Sequence, residues 1–440
     1  MSSVYSPAHE AARQALKEEQ QTPIERRLDR VGKSVASWWG PIVVVDFLFG
    51  VSLIVVMWTF KAGFPGGVIT AAAMVMYGAF RRALVRVKWG GILLLVMFGL
   101  LAFLAVESQH NGMPWLQRDF KFFLILLAAA VIATGRINVR SLIIGGMVGA
   151  ILNVPVYYLH LTPDFYPPYL TGFYGDKNVA GMYYALWGCL GLSVLPKRWH
   201  RWWIAASFVL LFLTGSRTSL AAYGAGLAWM YLRPRTGVTF RLGLGAIGYF
   251  ILKYLMENLS QSSAFGDRKG DDWFRHQIEE AMTAKTHVTP WYGLGLNQGK
   301  VLLGGVREAF FHNSYQQAFV EGGWPFLLIV IIAFMVIGLG IFDRRVVIPP
   351  VLLRLEGSVV VLLVCAWKLG EVFMTLGAFI ILGMCMAHRL GVPRSIFRDA
   401  VPAHLQASSA QPLRAGSQVP ATERAPRTYL QEQQDVDVPV

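Results

Sequence analysis

RRALVRVKWGGILLLVMFGLLAFLAV, residues 81–106, decides what kind of chain this is. Basic residues crowd its start at Arg81, Arg82, Arg86 and Lys88, and no charge then appears from Gly90 to Val106. A hydrocarbon core about 30 Å thick takes roughly 20 residues of helix, fewer where aromatic and basic flanks reach the interface. The stretch therefore reads as a membrane span with a cytoplasmic basic foot. The same pattern extends in both directions. Apolar segments at 40–60, 66–80, 90–106, 120–135, 141–160, 178–195, 202–216, 218–232, 239–257, 324–343, 348–368 and 371–388 predict about 12 transmembrane helices, the second, seventh and eighth short.

Of the 440 residues, 55% are hydrophobic and 15% charged, and the mean hydropathy is +0.46. A soluble domain carries about 25% charged residues, so a soluble multidomain protein is excluded and the expected fold class is an all-α polytopic integral membrane protein. The net charge of +14 is compatible with nucleic acid, anionic lipid or topology signals. The basic residues sit in short clusters between apolar runs and are not interleaved with aromatics, so topology accounts for them and no nucleic-acid partner is expected. Cys189, Cys365 and Cys385 all lie inside apolar segments, which leaves neither a disulfide framework nor a CxxC metal knuckle.

Placing both termini in the cytoplasm puts roughly 27 of the 40 Lys and Arg inside. About half of the rest lie in one long outer loop between spans 9 and 10, where acids nearly cancel them. The predicted organisation is a charged amphipathic cytoplasmic segment (1–39), spans 1–9 (40–257), a large outer loop with helical segments (258–323), spans 10–12 (324–390) and a disordered cytoplasmic tail (391–440) whose Ala, Pro, Gln and Ser content supports no core.

Three polar clusters fall on the outer face beside span ends. In PDFYPPYLTGFYGDKNVAGMYYAL (163–186), Pro and Gly break regular structure before Asp176, Lys177 and Asn178 open a helix. Tyr166, Tyr169, Phe173 and Tyr174 are candidates to stack on sugar rings or cap a lipid chain; an interfacial aromatic belt, with Asn178 as a helix N-cap, is the alternative. In LTGSRTSLAA (213–222), Arg217 points outward between Ser216, Thr218 and Ser219. An arginine there must be paired or line a wet cavity, and its planar fork suits phosphate, unless it snorkels to headgroups. The third cluster runs from RHQIEEAMTAKTHVTPWYGLGLNQGK (275–300) to FFHNSYQQAFVEGGWPF (310–326). His312 can take a proton near neutral pH, with Asn313, Tyr315, Gln316 and Glu321 behind it; simple solvation is the alternative.

The chain contains no GxxxxGK[ST] loop, Rossmann fingerprint, HExxH helix or GxSxG elbow. Asp271 and Asp272 without further ligands make a poor cation site. Mid-membrane carboxylates look scarce, Asp46 being the clear case with Glu371 near a span end, which argues against a proton-coupled transporter.

An outward TGSRTS turn, a large outer loop carrying an arginine and then PWYGLG, and HNSYQQAFVEGG before a span together resemble the O-antigen ligase and polymerase superfamily of bacterial envelope glycosyltransferases. The resemblance covers roughly 165–345 in order, spacing and common face, and within the superfamily it is nearest to the ligase branch. It implies transfer of a finished O-antigen polysaccharide from undecaprenyl diphosphate to lipid A-core, at the periplasmic face of a gram-negative inner membrane. Carried over by position, His312 is the essential histidine of the HN motif and Arg217 the arginine of the SR turn. Arg275 stands before Pro290, Gly293 and Gly295 as the second arginine. Arg268 is the alternative, because the tryptophan usually four residues past that arginine is missing after Arg275 while Trp273 follows Arg268. Asp176, Lys177 and Asn178 resemble the family's polar turn. Ser216, Asn313, Tyr315 and Tyr174 complete the expected substrate-binding set.

A polyprenyl diphosphate is already an activated leaving group, so the resemblance implies neither nucleotide nor metal cofactor. Two arginines would bind the diphosphate and His312 would act as general base in an inverting displacement. O-antigen polymerase, protein O-oligosaccharyltransferase and, in a different class, a lipid-linked oligosaccharide flippase remain open.

Overall fold

Apolar runs separated by capped polar turns give a helical molecule. The computed structural model describes residues 42–58, 65–241, 243, 269–303, 307–343 and 348–393. In chain order these form α1 (Val44–Ser52, prolonged by a 3₁₀ turn to Val55), α2 (Gly66–Ala79), β1 (Val85–Val87), α3 (Gly90–His110), α4 (Leu116–Ala133) and α5 (Val139–Tyr158). There follow α6 (Lys177–Val194), α7 (His200–Thr214), α8 (Arg217–Leu232), α9 (Lys269–Val288), β2 (Lys300–Leu303) and β3 (Arg307–Phe310). The last are α10 (Ser314–Ile332, prolonged by a π turn Ala333–Gly338), α11 (Pro350–Cys365), α12 (Leu376–Leu390) and β4 (Gly391–Pro393).

A helix lies on every predicted span except the ninth, of which only the first residues are described. Among the described residues, three helices are long and apolar enough to cross a membrane: α3 (mean hydropathy 2.3), α5 (1.7) and α10 with its π turn (2.3). Shorter apolar helices run over Val44–Val55, Gly66–Ala79 and Leu376–Leu390. The chain thus has the make-up of a helical membrane protein. The N-terminal segment 1–39 lies outside the described residues, as does the tail beyond Pro393.

Three features depart from the sequence expectation. Residues 391–393, assigned to a disordered tail, form β4, which pairs antiparallel with β1 so that Arg86 faces Val392. The outer loop holds an antiparallel hairpin, β2 with β3, Val301 opposite Ala309, beside its helix α9. A further helical stretch, capped by Asn313 and starting at Ser314, precedes span 10: the non-helical Gly322 and Gly323 kink the chain, and the helix of span 10 resumes at about 324 as expected, so α10 is two helices joined across a kink.

Close contact between helices rests on small residues, as expected where lipid supplies no hydrophobic drive. A Cβ on Gly50 of α1 would collide with the Leu142 carbonyl of α5, and one on Gly145 would strike the Phe47 carbonyl. Buried carboxylates are paired. Asp46 accepts both contacts of the Arg81 guanidinium (3.0 and 2.8 Å) and the Asn138 amide (2.6 Å). Glu356 of α11 accepts from Arg233 Nε (3.0 Å), Trp229 Nε1 (2.9 Å) and Arg389 of α12 (2.5 Å). Glu356 is a mid-span acid that the sequence count passes over. Its arginine partners make it a fastening between helices.

Candidate functional site

Gly215, at φ 62°, closes α7, and the next residue opens α8. Ser216 caps α8, and its Oγ lies 2.8 Å from Ser219 Oγ and 3.2 Å from Asn178 Oδ1. Arg217 is therefore the first residue of α8, half-buried at the helix's positive end. Asn178 belongs to the first turn of α6. The cap of α6 is Asp176, not Asn178: its Oδ1 accepts from the amides of Asn178 (2.8 Å) and Val179 (3.0 Å). Lys177 is buried, with its ammonium over the Tyr169 ring at 4.8 Å and the Tyr166 ring at 5.5 Å. The DKN turn and the SR turn, far apart in sequence, thus adjoin.

His312 stands half-buried between β3 and α10. Its neighbours are tightly held. Phe311 is buried and donates its amide to the Gly299 carbonyl (3.0 Å). Asn313 Oδ1 caps α10 by accepting from the amides of Tyr315 (3.0 Å) and Gln316 (3.2 Å). Ser314 donates its amide to Ala366 (2.8 Å) and its hydroxyl to the Leu369 carbonyl (2.7 Å), and accepts from the Val372 amide (3.0 Å).

These contacts bring the two motifs onto one platform, the C-terminal end of α11 and the turn after it. Tyr315 OH donates to Leu363 (2.9 Å) and Ser314 meets Ala366, while α8 lies along α11 with Gly226 against Gly357 and Arg233 on Glu356, so the start of α8 at Arg217 lies toward the C-terminal end of α11. The side chain of Lys368 projects from the same turn and pairs with Glu279 of α9 at 2.6 Å. Glu279 sits one helical turn beyond Arg275, so α9 is docked to the platform on the face that carries the Arg275 position. The side chain of Arg275 and the whole of Arg268 lie outside the described residues, and the choice between them stays open.

A charged cluster underpins the His312 side. Arg118, at the start of α4, reaches Glu321 of α10 (2.9 Å) and Glu371 (3.5 Å), while Lys121 pairs with Glu371 (2.8 Å). Glu321 Oε1 also accepts from the Gly299 amide (3.3 Å), and Gln317 Oε1 accepts from the Glu371 amide (2.9 Å). Arg118, Lys121 and Lys368 are the residues that motif reasoning misses. Their only signal is basic side chains at apolar segment ends, in LQRDFKFF and WKLGE.

The glycines of PWYGLG and VEGG lock together. Leu294 and Gly295 donate their amides to Val320 (2.8 Å) and Glu321 (3.0 Å), and Trp324 donates to Trp291 (2.8 Å). Gly293, at φ 95°, lies so near that a Cβ would stand 2.7 Å from Gly322 Cα. Side chains are thus excluded where the outer loop meets the bend in α10. On its other side the loop has its own small core of Ile278, Met282, Val301, Ala309, Phe311 and Val320. Lys285 anchors it, donating to the carbonyls of Gln298 (2.8 Å) and Lys300 (2.9 Å); burial, followed by the Lys300 charge, lowers its pKa.

Two expected substrate contacts are instead packing residues. Tyr174 is 1% exposed and stacked on Tyr183 with centroids 5.1 Å apart. Tyr315 has its hydroxyl engaged and its ring edge-on to Phe373 at 4.9 Å. Among the described residues no three His, Cys, Asp or Glu side chains are grouped to hold a metal ion. The chain matches no protein-family model and no curated protein.

Proposed function

We propose that the protein is a membrane glycosyltransferase of the O-antigen ligase type. It moves a glycan from undecaprenyl diphosphate to lipid A-core at the periplasmic face of a gram-negative inner membrane, with about 12 spans and both termini cytoplasmic. One observation carries this reading: the first turn of the Arg217 helix, which lies along α11 with its C-terminal Arg233 on Glu356, and Ser314, two residues after His312, fall toward the same C-terminal α11 end. A phosphate-seeking cation and a proton acceptor on one platform are what displacement of a diphosphate by a hydroxyl requires.

In the proposed reaction, Arg217 and the α9 arginine hold the diphosphate. The acceptor hydroxyl oxygen bonds to the anomeric carbon from the opposite face and its proton passes to His312. The bond from that carbon to the phosphate oxygen breaks with its electron pair, and the arginines stabilise the charge that collects there. The anomeric configuration inverts.

The test is transfer in liposomes by purified protein given undecaprenyl-diphosphate-linked glycan and lipid A-core, with chelator present. Glycan-capped lipid A-core from wild type, lost in folded His312→Ala, is the expected result. Lengthening of the glycan on its own carrier would identify a polymerase, transfer to an added periplasmic protein an oligosaccharyltransferase. Full activity of His312→Ala would remove the base assignment.

A further inference from the structure

The backbone of PWYGLG lies at the height where two long apolar helices reach their ends. Helix α3 carries no charge from Gly90 to Val106 and meets its first acid at Glu107. One residue later, Ser108 Oγ accepts the Leu296 amide (2.8 Å), and a Cβ on Gly295 would stand 2.8 Å from Ser108 Cα. Beyond the kink, α10 carries no charge from Gly322 to Phe342, and Trp324 near the start of that run donates its amide to the Trp291 carbonyl (2.8 Å). The segment is thus pinned at both ends, each time to the terminal turn of an uncharged run. Charges begin where hydrocarbon gives way to headgroups, so PWYGLG sits at that boundary.

The side chains held there are aromatic and uncovered. Trp291 is 65% exposed and Tyr292 39%, with their rings edge-on at 5.5 Å. Trp324 is 51% exposed and edge-on to Phe319 at 5.1 Å. Val106, two residues before Ser108, and Leu116 at the start of α4 are exposed as well. In water, rings so uncovered would leave a large apolar area unburied. At a membrane boundary the ring enters the acyl edge while the indole N–H or phenol O–H stays wet. The glycines of the motif pack against protein, so its apolar area is concentrated on the two uncovered aromatics.

We propose that Trp291 and Tyr292 seat the outer loop on the headgroup layer of the bilayer, with Trp324 at the same depth. The loop is then held by α3 and α10 on one side and by lipid on the other. The partner is the lipid–water interface itself. The inference rests on the chain lying in a membrane, not on which sugar transfer it performs.

Site-directed spin labelling of the full chain in liposomes tests it. The three native cysteines are buried, so a single introduced cysteine takes the label. Nitroxides are placed by Trp291→Cys, by Trp324→Cys and by Leu95→Cys, the last at an exposed position within the α3 run. The readout is the ratio of collisions with oxygen, which concentrates in hydrocarbon, to collisions with a water-soluble nickel chelate. The Trp291→Cys ratio should fall within about twofold of the Trp324→Cys ratio, at least about threefold below that of Leu95→Cys and about threefold above that of label free in buffer. Tyr292→Cys repeats the arm if Trp291→Cys does not fold, and adding Trp291→Ser to it should carry its ratio about twofold toward the buffer value. A buffer-like ratio for Trp291→Cys would put the loop in water, and a ratio equal to that of Leu95→Cys would put it in hydrocarbon; either overturns the proposal, as does a Tyr292→Cys ratio indifferent to Trp291→Ser. No donor or acceptor is present, so failure of the transfer reading leaves this result standing. A buffer-like ratio for Leu95→Cys would overturn the membrane reading and this inference with it.

Discussion

The two ends of the bundle each bury a cluster of ion pairs, and the clusters differ in what surrounds them. At the end bearing the α8 C-terminus, Glu356 is fully buried among Arg233 (1% exposed) and Arg389 (6%), and Arg389 also reaches Asp343 at 2.8 Å. Four segments meet there with their charges closed in. At the other end, Glu321 is equally buried, but its partner Arg118 is 17% exposed, and Glu371 and Lys121 are 29% exposed. That cluster also holds Gly299, whose carbonyl receives the Phe311 amide next to His312. Burial of charge alone therefore does not mark a functional site. The enclosed cluster fastens helices, whereas the half-open one underlies the turn that carries the half-buried His312.

The sharpest break in this comparison is chemical. His312→Ala should cost roughly 10²–10⁴-fold in transfer, the usual reach of a general base, with the thermal unfolding midpoint in detergent unchanged. Glu356→Gln should do the reverse. Loss of that carboxylate leaves arginines in the interior without full compensation, a cost of about 3–5 kcal/mol. The unfolding midpoint falls, and specific activity well below it stays at wild-type level. Comparable losses of activity in both folded variants would dissolve the distinction between the ends.

Glu321→Gln sharpens the contrast, because the outer cluster can draw on solvent. Its stability cost should be smaller, about 1–3 kcal/mol, the penalty of an unmade buried hydrogen bond. Transfer should fall further than the unfolding midpoint implies, since Glu321 positions the loop around Gly299 without touching substrate. A readout specific to positioning is KM against kcat: a change in kcat with KM for the donor preserved is the expected outcome. Activity that simply tracks the folded fraction would reduce Glu321 to a second fastening.

Much of this was legible in the sequence. Uncharged runs bounded by basic clusters mark the helices, since lipid admits few other structures. The SR and HN turns announce themselves as polar interruptions beside apolar segments. Three things were not legible. The partners of buried charges, such as Arg118 with Glu321, are long-range contacts, and no local period encodes them. The helical stretch from Ser314 was hidden because Gly322, Gly323 and Pro325 mark a break, and the helix does break there, but the polar residues before the break also form a capped helix on which the PWYGLG backbone docks. Tyr174 read as a sugar platform and Tyr315 as a hydrogen-bonding group behind His312 because an aromatic at an interface has the same sequence signature whether it faces substrate or core.

The smallest expected effect tests whether the polar turns act as caps or as ligands. Asp176 accepts two α6 amides and Asn313 two α10 amides, so both are committed to helix ends. Replacing such a cap by Ala costs about 1 kcal/mol, and Ser restores most of it because its hydroxyl accepts the same amide. If Asp176 only caps, Asp176→Ala should lower the unfolding midpoint slightly and Asp176→Ser should recover both stability and transfer. Asn313 lies next to His312, so its two roles separate by the same pair of variants. Recovery of stability but not of transfer in Asn313→Ser would mean that the carboxamide itself meets the substrate. That outcome would move Asn313 from the frame of the site into its chemistry, while Asp176 stayed with the frame.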